Sequence, residues 1–233
     1  MKKRIWELDA LRGLCVLGMV IIHLIYNLNE MYRIVHWQLP KLFTFLQNWG
    51  GVLFLLISGI SITLGKHHIK RGLLVCAAGL LISLVTYGMT FFGFSKSVVI
   101  YFGVLHCLGI CMLLWAVFRH FPRWALLVTG LILTAAGLWI DTLPTVEATW
   151  LFPLGFISPT FASADYFPLL PNLGYFLVGA FLGRTVYAHK ASLLPRFPAE
   201  AWPIRFLSFC GRQSLWIYLL HQPVLSGICF LLM

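Results

Sequence analysis

Long apolar runs, separated by short polar segments, dominate this sequence and constrain its fold more than any other feature. Of its 233 residues, 60% are hydrophobic and only 10% are charged, whereas a typical soluble domain has about 25% charged residues. A helix crosses a bilayer with about 20 consecutive apolar residues, so the hydrophobic total suffices for about seven spans. This pattern excludes a soluble domain, a disordered chain, a coiled coil and a secreted disulfide scaffold. Continuous runs also argue against alternating β-barrel strands.

We therefore predict an all-α fold, a polytopic integral membrane helix bundle with about seven transmembrane helices. The spans are expected at residues 11–29, 43–65, 71–93, 97–118, 124–140, 167–188 and 205–232. The sequence contains no internal repeat, low-complexity tract or linker. One domain over residues 1–233 is therefore the expected organisation.

The distribution of Lys and Arg predicts a cytoplasmic N-terminus. With that orientation, three of the 17 basic residues, Arg33, Lys41 and Lys96, lie in outer segments and all the others in cytoplasmic ones. Such a bias is typical of proteins in a cytoplasmic membrane. The net charge of +10 is thus explained by loops that anchor the helices, and a nucleic-acid partner is not expected. The first apolar run follows Lys2, Lys3 and Arg4 without a small-residue cleavage site, so we expect no cleavable signal peptide.

The cysteines are expected to be buried thiols. All six lie in or beside apolar runs, and none has the spacing of a zinc site. Disulfides and a bound metal are therefore not expected. The six are Cys15, Cys76, Cys107, Cys111, Cys210 and Cys229.

Ionisable residues inside the first apolar run are the strongest indication of a functional site, because such groups are costly in a membrane. Arg12 and His23 are eleven residues apart, which places them on one helix face about 16 Å apart along the axis. Asp9, Asn27 and Glu30 fall on the same stripe. Each residue also has a purely structural interpretation. Arg12 can be an anchor that snorkels to the membrane surface, and His23 can be a packed, hydrogen-bonded group. Their alignment favours a polar cavity along this helix.

Two further histidines lie in later spans, and two polar residues lie at the outer ends. His106 is in the fourth span and His221 in the last; a buried His bonded to a neighbouring helix is the structural alternative for such residues. In a continuous last helix, Arg212 points away from His221. At the outer ends, His36 follows the first span and Asp165 precedes the sixth.

Five segments together resemble a known family. They are LDALRGLCVLGMVIIHL, LFLLISGISITLGK, IYFGVLHCLGI, DYFPLLPNLGYFLVGAFLGR and GRQSLWIYLLHQPV. The Arg and His in the first segment resemble the first-helix motif of the transmembrane acyltransferase superfamily. In this order and spacing, the set resembles the bacterial membrane family related to heparan-α-glucosaminide N-acetyltransferase.

The resemblance implies acyl transfer across the membrane, from acyl-CoA bound on the cytoplasmic side to an acceptor, often a sugar, on the far side. It implies that Arg12 faces the CoA end and that His23 lies near the reacting centre. The heparan-type enzymes carry Asn where His23 stands and use a His of the following outer loop, for which His36 is the nearest match. Both therefore remain candidates for the principal catalytic residue. His221 matches the last-helix His of these families.

The chemistry of the residues agrees with this implication. A neutral His can act as a general base for an amine or hydroxyl that attacks a thioester, or it can carry the acyl group itself. Asp165 is expected to orient a His or an acceptor amine. Cations can bind the CoA phosphates, so Arg12, Arg71 and Arg212, together with His106, are the candidate donor-binding residues.

The predicted function is therefore that of an acyl-CoA-dependent transmembrane N- or O-acyltransferase with acetyl-CoA as the donor and no metal. The expected partners are membrane lipids, acyl-CoA and a glycan or amino-sugar acceptor, and a homodimer is compatible with so small a chain. The alternatives are a proton-coupled small-solute transporter, because buried His and Arg also form relays, and a non-enzymatic membrane scaffold.

Overall fold

The computed structural model describes residues 4–232, and these residues form an all-helical fold. No β-strand occurs among them, and one isolated parallel bridge joins Phe102 to Tyr166. The predicted fold class is confirmed. The α-helices are α1 (Trp6–Tyr26), α2 (Lys41–Leu64), α3 (His68–Met89), α4 (Val104–Phe118), α5 (Arg123–Ile140), α6 (Leu169–Thr185), α7 (Trp202–Arg212) and α8 (Ser214–Leu231). Lys2 and Lys3, counted above as cytoplasmic cations, lie outside the described residues.

Each of the seven predicted spans contains helix, and within residues 4–232 five helices are long and apolar enough to cross a membrane. These five are Trp6–Met31, Lys41–Leu64, His68–Phe92, Arg123–Ile140 and Ser214–Leu231. Val104–Phe118 is a shorter apolar helix, and α6 has 17 residues. At 1.5 Å per residue, these two are about 22 and 25 Å long, less than the ~30 Å hydrocarbon core. A membrane helix bundle is thus confirmed, while the count of seven and the cytoplasmic N-terminus stay predictions.

The seventh predicted span is two helices rather than one. α7 ends at Arg212 and α8 begins at Ser214, and Gln213 between them has non-helical angles of φ −96° and ψ 13°. Hydropathy over a window of about 19 residues does not resolve a break of one residue. Arg212 and His221 therefore lie on separate helices, so the predicted angle between them does not apply.

The described chain divides into two compact units, residues 4–57 with 189–232 and residues 58–188. In the first unit, α1 packs along α7 and also contacts α8. A π-helical turn, Asn27–Met31, continues α1 and contacts α8 as well. Because this turn changes the helical register, the angle predicted for Glu30 does not hold. The side chain of Glu30 is exposed.

In the second unit, residues 58–188, glycines let the helices approach closely. α5 packs on α6 and α3 packs on α4. A β-carbon on Gly130 would press against Gly174, and one on Gly174 would overlap Thr134. Small residues at such crossings are typical of membrane helices, where close van der Waals packing replaces the hydrophobic effect. The prediction of a single domain over residues 1–233 stays a prediction.

All six cysteines are free thiols. Cys107, Cys111, Cys210 and Cys229 are buried, and the other two are half-buried. The prediction of buried thiols is therefore confirmed for those four, while Cys15 and Cys76 are only partly covered.

Candidate active site

His23 and His221, which are far apart in the sequence, lie side by side in the first unit. Their ring centroids are 4.9 Å apart with a tilt of 60° between the planes. α1 carries His23 and α8 carries His221, and the packing of these two helices creates the pair. His221 is 8% exposed, and its ring also lies 5.4 Å from that of Tyr218. Two of the predicted catalytic residues are thus brought together.

Hydrogen bonds to backbone carbonyls show which nitrogen of each ring carries the hydrogen. His23 donates from Nδ1 to the Met19 carbonyl at 2.9 Å, and His221 donates from Nδ1 to the Tyr218 carbonyl at 2.5 Å. A carbonyl oxygen only accepts, so Nδ1 must carry the hydrogen in both cases. In the neutral rings, Nε2 then holds the lone pair. Each histidine is therefore in the tautomer that a general base or a nucleophile requires at Nε2.

An amide pair joins the same two helical segments as the histidines. Asn27 is fully buried at 0% exposure, and its Nδ2 donates to Oε1 of Gln222 at 3.1 Å. Asn27 is one helical turn after His23, and Gln222 adjoins His221. Within residues 4–232, two buried atoms of this group have no hydrogen-bond partner, Oδ1 of Asn27 and Nε2 of His221. The sequence predicts Asn27 as part of the polar stripe, but Gln222 was missed. The signal that could have identified Gln222 is its polar side chain within an apolar run.

Arg12 lies toward the opposite end of α1 from His23. Its Nη1 is 3.7 Å from Oδ1 of Asp9, and the Arg12 side chain is 19% exposed. Oδ2 of Asp9 also lies 3.9 Å from Nη1 of Arg4. The acid and the cation predicted on one stripe are therefore in contact. Whether Arg12 binds a donor stays a prediction.

His36 is in the exposed segment between α1 and α2. The segment is tied to the π turn by the Trp37 backbone N–H, which donates to Oδ1 of Asn29 at 2.7 Å. His36 itself is exposed. Neither His36 nor Arg212, which is exposed at the end of α7, makes a hydrogen bond, ion pair or ring contact with the His23–His221 pair in the described chain.

His106, in the second unit, uses both ring nitrogens within that unit. Nδ1 accepts the backbone N–H of Gly103 at 3.2 Å, so the ring proton resides on Nε2. Nε2 lies 3.3 Å from Oγ of Ser83 on α3, and that hydroxyl donates to the Ile100 carbonyl. The arrangement is that of a buried His bonded to a neighbouring helix. Its tautomer is the opposite of that in His23 and His221.

Asp165 and Arg71 also lie in the second unit. Oδ2 of Asp165 accepts the backbone N–H of Val104 at 3.1 Å, which places a carboxylate at the positive N-terminal end of α4. Arg71 is exposed in the first turn of α3, beside Gly65. The roles predicted for Asp165 near an acceptor and for Arg71 near CoA stay predictions.

Tyr166, next to Asp165, has a perturbed ionisation. Burial, and secondarily the charge of Asp141, raises the pKa of Tyr166 to about 12. Its hydroxyl donates to the Phe152 carbonyl at 2.6 Å. Tyr166 therefore stays protonated. Its hydrogen bond joins the segment just before α6 to Phe152, earlier in the connection from α5.

Comparison with known proteins identifies the family. The model of the family described as heparan-alpha-glucosaminide N-acetyltransferase, catalytic, matches residues 4–223. No curated protein and no solved structure matches the chain. The matched range contains the His23–His221 pair and nearly all of the described helices. The chain therefore belongs to the heparan-alpha-glucosaminide N-acetyltransferase catalytic family and is a membrane acetyltransferase of that type.

Proposed function

We propose that this protein transfers an acetyl group from cytoplasmic acetyl-CoA to an amino sugar or related acceptor at the outer face of the cell's cytoplasmic membrane. The observation that carries the proposal is the His23–His221 pair, with both rings held in the Nδ1–H tautomer. Family membership supports the transfer of acetyl groups. Fourteen basic residues lie in the predicted cytoplasmic segments and three in the outer ones, and this distribution supports a cytoplasmic N-terminus.

In direct transfer, the acceptor's nitrogen or oxygen attacks the carbonyl carbon of the thioester. Nε2 of one histidine takes the proton from the attacking atom, the bond from carbon to sulfur breaks, and the CoA thiolate leaves. The imidazolium then returns its proton to the thiolate. A positioned base of this kind contributes about 10²–10⁴-fold to the rate.

Transfer through an acyl-histidine is the second route. Here Nε2 attacks the thioester first, the bond from carbon to sulfur breaks, and an acyl-imidazolium that still carries its Nδ1 hydrogen forms as the thiolate leaves. The acceptor then attacks the acyl carbon, the bond from that carbon to Nε2 breaks, and the neutral imidazole is regenerated. The buried second ring 4.9 Å away can take the acceptor's proton in that step. Paired histidines thus serve either route.

The donor-binding residues are proposed from charge. Acetyl-CoA carries phosphates, and guanidinium groups bind phosphates with charge-assisted hydrogen bonds. Arg12, Arg71 and Arg212 are the proposed contacts; the latter two are exposed, and Arg12 would exchange its 3.7 Å contact with Asp9 for a phosphate. His106 is the weakest member of the set, because both its nitrogens already have partners.

The decisive experiment measures acetyl transfer by purified single variants. His23→Ala and His221→Ala are each expected to lose about 10²-fold or more in kcat while they remain folded. His189→Ala is the matched control, since His189 is an exposed residue of the same unit. His36→Ala decides whether the outer loop also contributes. Wild-type activity in both His23→Ala and His221→Ala would exclude the pair from the reaction.

A binding experiment tests the donor. Acetyl-CoA is expected to raise the Tm of the detergent-purified protein, because a ligand that binds the native state stabilises it. Desulfo-CoA, which has the phosphates but no thioester, should produce a similar shift. No shift with either compound would contradict a CoA-dependent enzyme and would favour a carrier or a scaffold.

A further inference from the structure

Helix α7 is too short to cross a membrane, and Gln213 separates it from the longer helix α8. Its 11 residues correspond to about 16 Å, roughly half of the hydrocarbon core. α7 packs along α1, and the contact between Gly13 and Gly211 lies in the N-terminal half of α1. Since α1 is long enough to cross the membrane, we expect α7 to lie beside one end of that span, close to the lipid headgroups.

Three aromatic side chains form an exposed stripe along α7. This aromatic stripe consists of Trp202, Phe206 and Phe209, all exposed, with Trp202 at 76%. At 3.6 residues per turn, the three fall within a sector of about 60° around the helix. The rings of Trp202 and Phe206 are stacked with their centroids 5.8 Å apart, so they form one continuous apolar surface. Trp and Phe on one face of an amphipathic helix are typical of helices that contact a membrane surface.

Cations border the aromatic stripe on one edge. Arg205 and Arg212 are exposed and lie about 40–60° around the helix from the nearest aromatic residue. The segment that leads into α7 adds Lys190 and Arg196, which are also exposed. Glu200 is the only acidic residue between Lys190 and Arg212 in the sequence. The exposed side of α7 thus combines an apolar surface with an excess of positive charge.

We propose that the exposed side of α7 binds an anionic phospholipid, with the lipid phosphate on Arg205 and the acyl chains against the aromatic stripe. A guanidinium binds a phosphate with two parallel, charge-assisted hydrogen bonds. The site therefore matches a molecule in which a phosphate adjoins hydrocarbon. CoA also carries phosphates, but it has no long hydrocarbon chain to cover the stripe. The inference is independent of acetyl transfer and concerns a different surface from the His23–His221 pair.

The net charge of the lipid should determine its affinity. Phosphatidylglycerol carries one net negative charge, whereas phosphatidylcholine has the same phosphate but no net charge. Each Lys or Arg near the lipid surface is expected to favour an anionic lipid by about fivefold in affinity. A site with several cations and one acid therefore selects phosphatidylglycerol over phosphatidylcholine.

The first experiment measures the Tm of the full-length protein in neutral detergent with added dioleoylphosphatidylglycerol or dioleoylphosphatidylcholine. A ligand that binds the native state raises the Tm, so phosphatidylglycerol should produce the larger shift. The double variant Arg196→Gln/Arg205→Gln should bind phosphatidylglycerol about 25-fold more weakly, fivefold for each cation. The matched control is Arg33→Gln/Lys41→Gln, which removes two exposed cations of the same unit near the connection from α1 to α2. This control should keep the wild-type response.

A second experiment locates the lipid. Bromine in the upper acyl chain quenches the fluorescence of a tryptophan that it contacts, so brominated phosphatidylglycerol and brominated phosphatidylcholine are compared. The quenching lost in Trp202→Phe should be about twofold or more greater with the anionic lipid. Trp216→Phe is the control, because Trp216 is also exposed and lies on α8 of the same unit. Its contribution should be equal for the two lipids.

Several outcomes would overturn the inference. Equal Tm shifts with the two lipids would exclude a site for the anionic headgroup, and an equal loss of response in Arg33→Gln/Lys41→Gln would show that only the total charge matters. If desulfo-CoA displaces phosphatidylglycerol and its own Tm shift disappears in Arg196→Gln/Arg205→Gln, the surface binds the acyl donor instead. The two experiments alter different residues, so misfolding of one variant leaves the other decisive. Absence of acetyl transfer would contradict the proposed function without changing these lipid measurements.

Discussion

Gly13 of α1 and Gly211 of α7 hold these two helices backbone to backbone. A β-carbon on Gly13 would overlap the Leu207 carbonyl, and a β-carbon on Gly211 would overlap the Asp9 carbonyl. Each helix thus presents a glycine to the backbone of the other. The close approach anchors the N-terminal half of α1, and His23 lies toward the other end of the helix.

Gly13→Ala is expected to destabilise the protein, because the new methyl group meets backbone that cannot move away without separating α1 from α7. Overpacking of this kind costs about 1–3 kcal/mol. Gly18→Ala is the matched control on the same helix, since nothing lies within 4 Å of a β-carbon there, and Ala is favoured over Gly by about 1 kcal/mol in a helix. The Tm should fall for Gly13→Ala and hold or rise for Gly18→Ala. Equal Tm values would contradict the close contact.

His106→Ala is expected to lower the Tm, because it leaves the Gly103 N–H and the Ser83 hydroxyl without the partners they have now. The loss of a buried partner costs about 1–3 kcal/mol. The KM for acetyl-CoA, measured on the folded variant, tests the donor-binding role separately. An unchanged Tm together with a raised KM would assign His106 to the donor rather than to the fold.

Arg184→Lys is expected to destabilise the second unit despite the conserved charge. Arg184 donates to the carbonyls of Phe121 and Arg119, and its guanidinium lies 5.0 Å from the centre of the Trp115 ring. A lysine ammonium does not reproduce this planar fork or the stacking. Arg205→Lys, at an exposed site, is the control and should have the wild-type Tm. A thermal melt in detergent that gives the same Tm for both would rule out this role.

Glu7→Gln is expected to loosen the segment before α7. Oε2 of Glu7 accepts from the Ser192 hydroxyl at 2.9 Å and Oε1 accepts from the Leu193 N–H at 2.7 Å. Charge-assisted hydrogen bonds are about twice as strong as neutral ones, so the amide holds the segment less firmly. Trypsin cleavage after Lys190 or Arg196 should become faster. The exposed Glu200→Gln is the control, and cleavage at wild-type rate in Glu7→Gln would contradict the prediction.

Tyr166→Phe is expected to make stability less sensitive to alkaline pH. The pKa of Tyr166 is about 12 in the folded protein and 10 as its usual value, so the folded state binds more protons than the unfolded state between these values. Stability therefore falls as the pH rises through this window. The drop in Tm between pH 9 and pH 11 should be smaller in Tyr166→Phe than in the wild type. The exposed Tyr101→Phe is the control, and an equal drop in all three proteins would refute the prediction.

The candidate site was only partly predictable from the sequence. His23 and His221 were recognised because each is an ionisable group in an apolar run, a costly arrangement wherever it occurs. Their contact was not predictable, since nothing local relates residues 198 positions apart in the chain. His106 had the same signal, yet its neighbours satisfy both its nitrogens. The identity of the surrounding groups, not burial, distinguishes these histidines.

By itself, the sequence determined the membrane class, the approximate positions of the helices and the family. These properties follow from the length and hydrophobicity of continuous segments and from hydrogen bonds four residues apart. Only the tertiary structure decided the break at Gln213, the interlocked Gly13 and Gly211, the Asn27–Gln222 bond and the tautomers of the paired histidines. Each of these depends on which distant side chains and carbonyls meet when helices pack, and helix packing is not encoded in any single segment.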